Sequence, residues 1–400
     1  MKTVIIAAAA AALVVGPAKA GHYRNTEAGH YRDAEAGHYR NTEVGHYRNA
    51  EAGQYQRPVD TRHEITYAQD AHASFTVGTA TAQRGQRAYG VLKVPAGSDA
   101  GYDIPVAVVH GAKPGPVLAI VSGAHGTEYA SIVAVQQLID AVAPADLSGT
   151  LILVPLVNVP SFEKLTPHVN PTDNKSMNSR YPGDLGGTQT DRASAVITKE
   201  VVEQCDHLID LHGGDLDENL RPYSYWTVTG NQKQDQDSRA MLLAFGLDHI
   251  IISDRPKDPK ASRFLENTAT TRGKASFTAE AGRSGPVVAS DVAALVNGSL
   301  GTMKHLKMLG GIAKPVARPV WVEKIVSVPA EREGVFHASV DRDAHVAKGA
   351  KIGFVTDYLN RPLQDITAPE AGIVMFIRAV PSLKKGDTIV NIGVVSTTTR

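Results

Sequence analysis

The sequence predicts an α/β fold, a mixed and mostly parallel sheet flanked by helices, followed by a small all-β sandwich. Three observations carry this. Strand-like apolar runs alternate with helix-like runs from about Glu64 to Leu309, the pattern of a sheet with helices on its faces. Glycine-rich turns directly follow two of those runs, at Gly123 and at Gly213-Gly214, which is the edge where open α/β sheets place their sites. Past Gly310-Gly311 the texture changes to short strands separated by turns, marking a second unit.

Taken in order, residues 1–20 hold Lys2, an apolar stretch from Val4 to Val15, and the small-x-small triplet Ala18-Lys19-Ala20. These are the parts of a secretory signal peptide cleaved after Ala20. The apolar stretch is short for a membrane span, so the mature protein is expected to be soluble and exported, periplasmic or secreted. Residues 21–60 carry an eight-residue repeat, Gly21-His22-Tyr23-Arg24-Asn25-Thr26-Glu27-Ala28, which restarts at Gly29, Gly37 and Gly45 and decays at Gly53. Polar, charge-balanced units of this kind cannot bury a core and read as a disordered linker. The repeated His22, His30, His38 and His46 are read as products of repeat expansion, not as a selected ligand set.

Residues 61–312 form the expected catalytic domain. A first strand near Tyr89 to Val94 adds an antiparallel edge, and strands are expected at 106–109, 117–121, 151–157, 208–211, 250–252 and 275–279. The runs Ile132 to Val142 and Ala193 to Gln204 have helical period and length. Over 318–400, Lys348 to Gly353 and Lys385 to Val390 look like corresponding turns of a β-sandwich. This tail resembles a biotinyl or lipoyl carrier domain at Ala368-Pro369-Glu370-Ala371-Gly372-Ile373-Val374, but that stretch has no lysine to carry a cofactor. A structural or gating module is the expectation. Lys plus Arg equals Asp plus Glu at 41 each, which gives no electrostatic case for a nucleic-acid or anionic-membrane partner. The single cysteine, Cys205, excludes an intrachain disulfide and reads as a buried small hydrophobe.

The chemistry concentrates in Gly123-Ala124-His125-Gly126-Thr127-Glu128 and in Asp210-Leu211-His212-Gly213. His125 and Glu128, three residues apart in an incipient helical turn, can face one point, and His212 arrives from an equivalent strand end. Two histidines and one carboxylate are the ligand set of a catalytic zinc with an open fourth position. The same set also serves non-haem iron, usually on an all-β barrel, whereas here the ligands follow parallel strands.

With Phe277-Thr278-Ala279-Glu280-Ala281-Gly282, these motifs resemble the succinylglutamate desuccinylase/aspartoacylase family, which belongs with the zinc carboxypeptidases. The resemblance spans most of residues 100 to 310. It implies an eight-stranded mixed sheet, zinc held by His125, Glu128 and His212, and hydrolysis of an amide bond in a small-molecule or short-peptide substrate. Glu280 matches the family's catalytic glutamate and suits the base that takes a proton from water and passes it to the leaving amine. Asp210 either supports the second ring nitrogen of a ligand or satisfies local backbone amides.

One segment departs from the family. Relatives commonly carry Asp-Gly-Lys-x-Leu/Met-Asn-Arg-x-Phe-Pro-Gly, whereas this chain has Asp173-Asn174-Lys175-Ser176-Met177-Asn178-Ser179-Arg180-Tyr181-Pro182-Gly183. Asn178 is retained, Ser179 stands at the arginine position, and Arg180 is displaced by one. A serine does not replace a guanidinium fork, so Asn178, Arg180 and His168 become the substrate-binding candidates, with Arg221 as another cation. The leading reading is a zinc-dependent deacylase. The alternatives are carboxy-terminal trimming of peptides and a catalytically weak zinc-containing binding protein. Oligomeric state has no sequence signal.

A linker that buries no apolar area adds nothing to folding. Deleting residues 21–60 should leave the thermal midpoint and turnover unchanged, and a clear drop in midpoint by calorimetry would show that the repeat docks on the core.

Overall fold

The alternation of burial along one central strand shows how the sheet is built. In the computed structural model, which describes residues 72–396, Leu118 and Ile120 face one apolar cluster while Val117, Ala119 and Val121 face another. The period of two sends successive side chains to opposite faces, so both faces of this strand are covered. The signal peptide, the repeat and the start of the expected catalytic domain lie outside the described residues.

The chain begins with a hairpin, β1 (Ser74–Val77) and β2 (Ala80–Gln83), and continues through β3 (Gln86–Val94), β4 (Tyr102–His110) and β5 (Lys113–Ser122). Next come α1 (Tyr129–Ala141), β6 (Ser148–Val154), α2 (Val159–Glu163), α3 (Gln189–Ile197), β7 (His207–His212), β8 (Glu218–Leu220) and β9 (Tyr223–Val228). They are followed by α4 (Gln232–Phe245), β10 (His249–Asp254), α5 (Leu265–Thr270), β11 (Ala275–Glu280) and α6 (Ala289–His305). The eight strands from β3 to β11, β8 apart, run β10-β9-β11-β7-β5-β6-β4-β3 across the sheet. Pairing is parallel between β6, β5, β7 and β11 and between β9 and β10. It is antiparallel for β3–β4, β4–β6 and β11–β9. The fold is therefore the mixed α/β sheet that the sequence predicts.

Helices α1, α4 and α6 cover one face, contributing Leu138, Phe245 and Leu295 to the first cluster. On the other face, Ile197 and Leu265 come from α3 and α5. Cys205 is buried in this second cluster. Two elements start and end earlier than the sequence reading. The strand expected over 151–157 ends at Val154, because Pro155 has no N–H for the ladder. The helix expected over 193–204 is α-helical to Ile197 and then widens into a π-helical turn, Thr198–Val202.

The tail comprises β12 (Val320–Pro329), β13 (Gly334–Ala338), β14 (His345–Val346), β15 (Lys351–Thr356), β16 (Pro362–Thr367), β17 (Gly372–Arg378), β18 (Ser382–Leu383) and β19 (Thr388–Val395). One sheet, β16-β15-β13-β18, faces another, β14-β17-β19-β12. Phe336, Ile352, Val355 and Ile366 pack between them against Val374, Ile389 and Ile392. The second sheet is not separate from the catalytic one. Val320, Trp321 and Val322 of β12 pair in parallel with His249, Ile250 and Ile251 of β10, and the rest of β12 pairs with β19. The two expected units therefore share a 13-stranded sheet, and Glu64–Arg400 is one compact unit.

Beneath the sheet, Glu266 of α5 is buried, taking hydrogen bonds from Thr227 Oγ1 at 3.0 Å and Thr270 Oγ1 at 2.8 Å. Burial pushes its carboxyl up to about 7, against hydrogen bonds that lower it. A folded-state value above the ordinary 4.5 makes stability fall as pH rises from the ordinary value through about 7. The shift limits this loss to roughly 3 kcal/mol. Glu266→Gln should gain thermal midpoint over the wild type between pH 5 and pH 8; a difference that stays flat across that range would place the buried carboxyl's titration elsewhere.

Candidate active site

The site lies at the carboxyl ends of β5, β7 and β11. After Ser122 the chain turns through Gly123, whose φ of +72° is left-handed and suits glycine. The loop 123–128 is held from below by the start of α2. Asn158 is fully buried and donates from Nδ2 to Ala124 O at 3.2 Å, and Gly126 N donates to Ser161 Oγ at 2.9 Å. A Cβ on Gly126 would stand 2.3 Å from Phe162 N and 2.8 Å from Asn158 O, so only glycine lets the loop sit this close to α2.

This loop delivers Glu128, 3% exposed, beneath two imidazoles. His125 Nδ1 lies 2.6 Å from Glu128 Oε1, and His212 Nδ1 lies 2.9 Å from Oε2. Gly213 N donates to Oε2 at 3.0 Å. Burial is the largest influence on Glu128 and raises its pKa, yet His212 and His125 together hold it well below the usual carboxylate range. One nitrogen of each histidine and a carboxylate oxygen all lie within 4.8 Å of one another. Three donors converging on one point, two neutralisable and one anionic, fit a divalent metal ion.

Asp210 lies beside one of the histidines. Its Oδ1 lies 3.4 Å from His212 Nε2, so it faces the ring nitrogen that points away from Glu128. Burial lowers the His212 pKa, but Glu128 and Asp210 outweigh it and raise it well above the usual value. Across the sheet, Glu280 stands level with His212 in the parallel register of β11 and β7. Tyr223 OH donates to Glu280 Oε2 at 3.0 Å. Burial pushes the Glu280 carboxyl up to about 8, with Glu128 and Glu218 adding and His212 opposing.

Of the substrate-binding candidates, His168 has its ring 6.1 Å from that of His125, centroid to centroid. Asn178 follows Ser176, whose Oγ is 3.2 Å from His125 Nε2, and its buried Oδ1 makes no hydrogen bond. Arg180 turns towards Asp191, Nε to Oδ1 3.8 Å, and Arg221 is taken by Asp248 and Asp343 at 3.0 and 2.7 Å.

Four residues of the site escaped the sequence reading. Asp215, Asp217 and Glu218 follow His212 directly, and their closeness to a ligand was the available signal. Thr127 Oγ1 donates to Asp215 Oδ1 at 2.5 Å. His168 N donates to Asp215 Oδ2 at 2.9 Å, and His168 Nε2 is 2.8 Å from Asp217 Oδ1. Burial lowers the His168 pKa, but Asp217, Asp215 and Glu218 raise it to about 9, leaving the ring cationic at neutral pH. Glu218 is pushed up to about 7 by burial and by Glu128. The fourth residue, Tyr223, stands on a strand, β9, that the apolar pattern does not reveal.

A strand-edge cluster of two histidines and a glutamate, with a further glutamate beside it, is a donor set able to hold a metal ion. Residues 114–306 match the Succinylglutamate desuccinylase/Aspartoacylase catalytic domain, the family that the sequence motifs resemble. It is similar to the N-alpha-acetyl-L-2,4-diaminobutyric acid deacetylase of Halomonas elongata, 25% identical over 311 residues, 75% of this chain and 90% of that one. A succinylglutamate desuccinylase from a Silicibacter species superposes with a TM-score of 0.69 at 23% identity, over 78% of this chain and 95% of that one. The apo ectoine utilization protein EutE (DoeB) from Ruegeria pomeroyi does so with 0.65 at 25% identity, over 77% and 95%.

Gly126→Ala should lower the thermal midpoint, by an amount corresponding to roughly 1–3 kcal/mol of overpacking. An unchanged midpoint in thermal unfolding would show that α2 yields to the added methyl.

Proposed function

We propose that this protein is an exported zinc-dependent hydrolase that cleaves the amide bond of a small N-acyl amino acid or a related amide. The observation that carries the reading is the convergence of His125 Nδ1 and His212 Nδ1 on the Glu128 carboxylate, with Glu280 one strand away in register. His125, Glu128 and His212 would hold the zinc. Bound zinc supplies a Lewis acid for the scissile carbonyl and brings the pKa of water near neutrality.

The chain's own groups then divide the work. Glu280 takes a proton from the attacking water and passes it to the leaving amine. The Tyr223 hydrogen bond fixes Oε2, which leaves Oε1 for the proton. Asp210 orients the His212 ring from behind. His168 supplies the cation in place of the family's arginine. Its Nε2 is fixed on Asp217, while Nδ1, 3.4 Å from Asp215, makes no short hydrogen bond and is the donor left for a substrate oxygen. The unpartnered Asn178 Oδ1 is an acceptor for a substrate N–H. The deacetylase likeness and the family match support amide cleavage, and the signal-like residues 1–20 support export.

Metal analysis of purified protein combined with a screen of N-acyl amino acids against short peptides tests the reading. His125→Ala, Glu128→Ala and His212→Ala should each lose stoichiometric zinc, since two protein ligands hold the ion far more weakly. Glu280→Gln should keep zinc and lose turnover by about 10² or more. Wild-type turnover in Glu280→Gln on a confirmed amide substrate would assign the base to another residue.

A further inference from the structure

The tail reaches into the site through one side chain. Strand β8, directly after the His212 loop, pairs with β17, and Glu218 lies opposite Arg378 in that register. Ala379 N donates to Asp217 O at 2.8 Å. Arg378 Nη1 lies 3.2 Å from Asp217 Oδ2, its Nη2 lies 3.1 Å from Asp387 Oδ2, and its Nε donates to Ser382 O at 2.7 Å. The Arg378 side chain is 12% exposed and all three of its guanidinium nitrogens have partners, so any effect on substrate passes through Asp217.

Asp217 in turn holds His168. That histidine stands on a turn with φ +63°, belongs to no strand or helix, and has a side chain 41% exposed. Its direction therefore depends on the carboxylates around it. Asp215 fixes the backbone N–H at 2.9 Å, and Asp217 fixes ring Nε2 at 2.8 Å. One Asp217 oxygen faces Arg378 Nη1 and the other faces His168 Nε2, so the carboxylate is held between two cations and its direction is set from the tail side by a single ion-pair contact.

Resting on the hydrolase reading above, we infer that Arg378 is a positioning residue for amide cleavage, which by gripping Asp217 aims His168 at the substrate carbonyl beside His125. The tail is on this account a working part of the site, and it acts through an ion-pair chain running Arg378, Asp217, His168. Asp387 holds the far side of the guanidinium, so it supports the chain without touching His168.

A double-mutant cycle on the full-length, zinc-loaded protein tests the coupling, with kcat, KM and bound zinc read for each variant. His168→Gln and Arg378→Met should each lower kcat/KM about tenfold with zinc stoichiometry intact, and Arg378→Lys should recover part of the loss. In the His168→Gln background, Arg378→Met should add less than about twofold, because residues acting as one unit are not additive. Losses that multiply in the double variant, or zinc lost from Arg378→Met, would overturn the positioning role. If Arg378→Met does not fold, Asp217→Asn takes its place in the cycle. The imidazole ring signals of His168, assigned by their absence in His168→Gln, read the same chain without turnover. They should shift in Arg378→Lys, and unmoved signals refute the inference. A wild-type protein that binds zinc yet cleaves no N-acyl amine refutes the hydrolase reading alone, and the ring signals still decide the geometry.

Discussion

Everything at the catalytic edge is organised around the Glu128 carboxylate. It is a buried anion, and a buried anion without partners is costly. The chain meets that cost by bringing three groups to it, His125 from its own loop and His212 and Gly213 from the end of β7. Those partners come from two strands that are neighbours in the sheet. The parallel pairing of β5 and β7 and the geometry of the ligand cluster are thus one constraint seen twice. Glycine at 126 belongs to the same constraint, because α2 must lie against the loop for Glu128 to point inward.

A second layer of charge surrounds this centre. Asp215 ties Thr127 of the metal loop to the backbone of His168, and Asp217 ties the His168 ring to Arg378 of the tail. The arrangement places one imidazole cation among three carboxylates. Arg180, the displaced residue of the family motif, is directed to Asp191 and away from this cluster. An imidazolium is a weaker and shorter cation than a guanidinium fork, so on the proposed reading the site selects by shape and neutral hydrogen bonds more than by carboxylate capture.

The catalytic core was legible because its signals are local. A buried strand followed by glycine and a ligand is a pattern of a few consecutive residues, and it occurs at Ser122-Gly123 through Glu128 and again at His212-Gly213. Glu280 was legible for the same reason, at the end of β11. Strand β9 was not, since Tyr223 to Val228 mixes aromatic and small polar residues that are buried on both faces. Helix α4 hid as well, because its first half, Gln232 to Ser238, is almost wholly polar. Arg378 carried no sequence signal at all, because its partner Asp217 meets it only through the antiparallel pairing of β8 and β17. The shared sheet was hidden likewise, for the turn-rich texture of 318–400 says nothing about β12 adding to β10.

That pairing also decides what the newest part of the chain does during synthesis. Until Val320 to Val322 have emerged, β10 has one hydrogen-bonding edge without a neighbour, and open edges recruit other chains. The long β12 closes that edge and then hands its own far side to β19, some sixty residues further along the chain. Contacts of such separation form late in folding. The sandwich is thus an edge guard for the α/β sheet, and a nascent chain remains adhesive until β12 and β19 have paired.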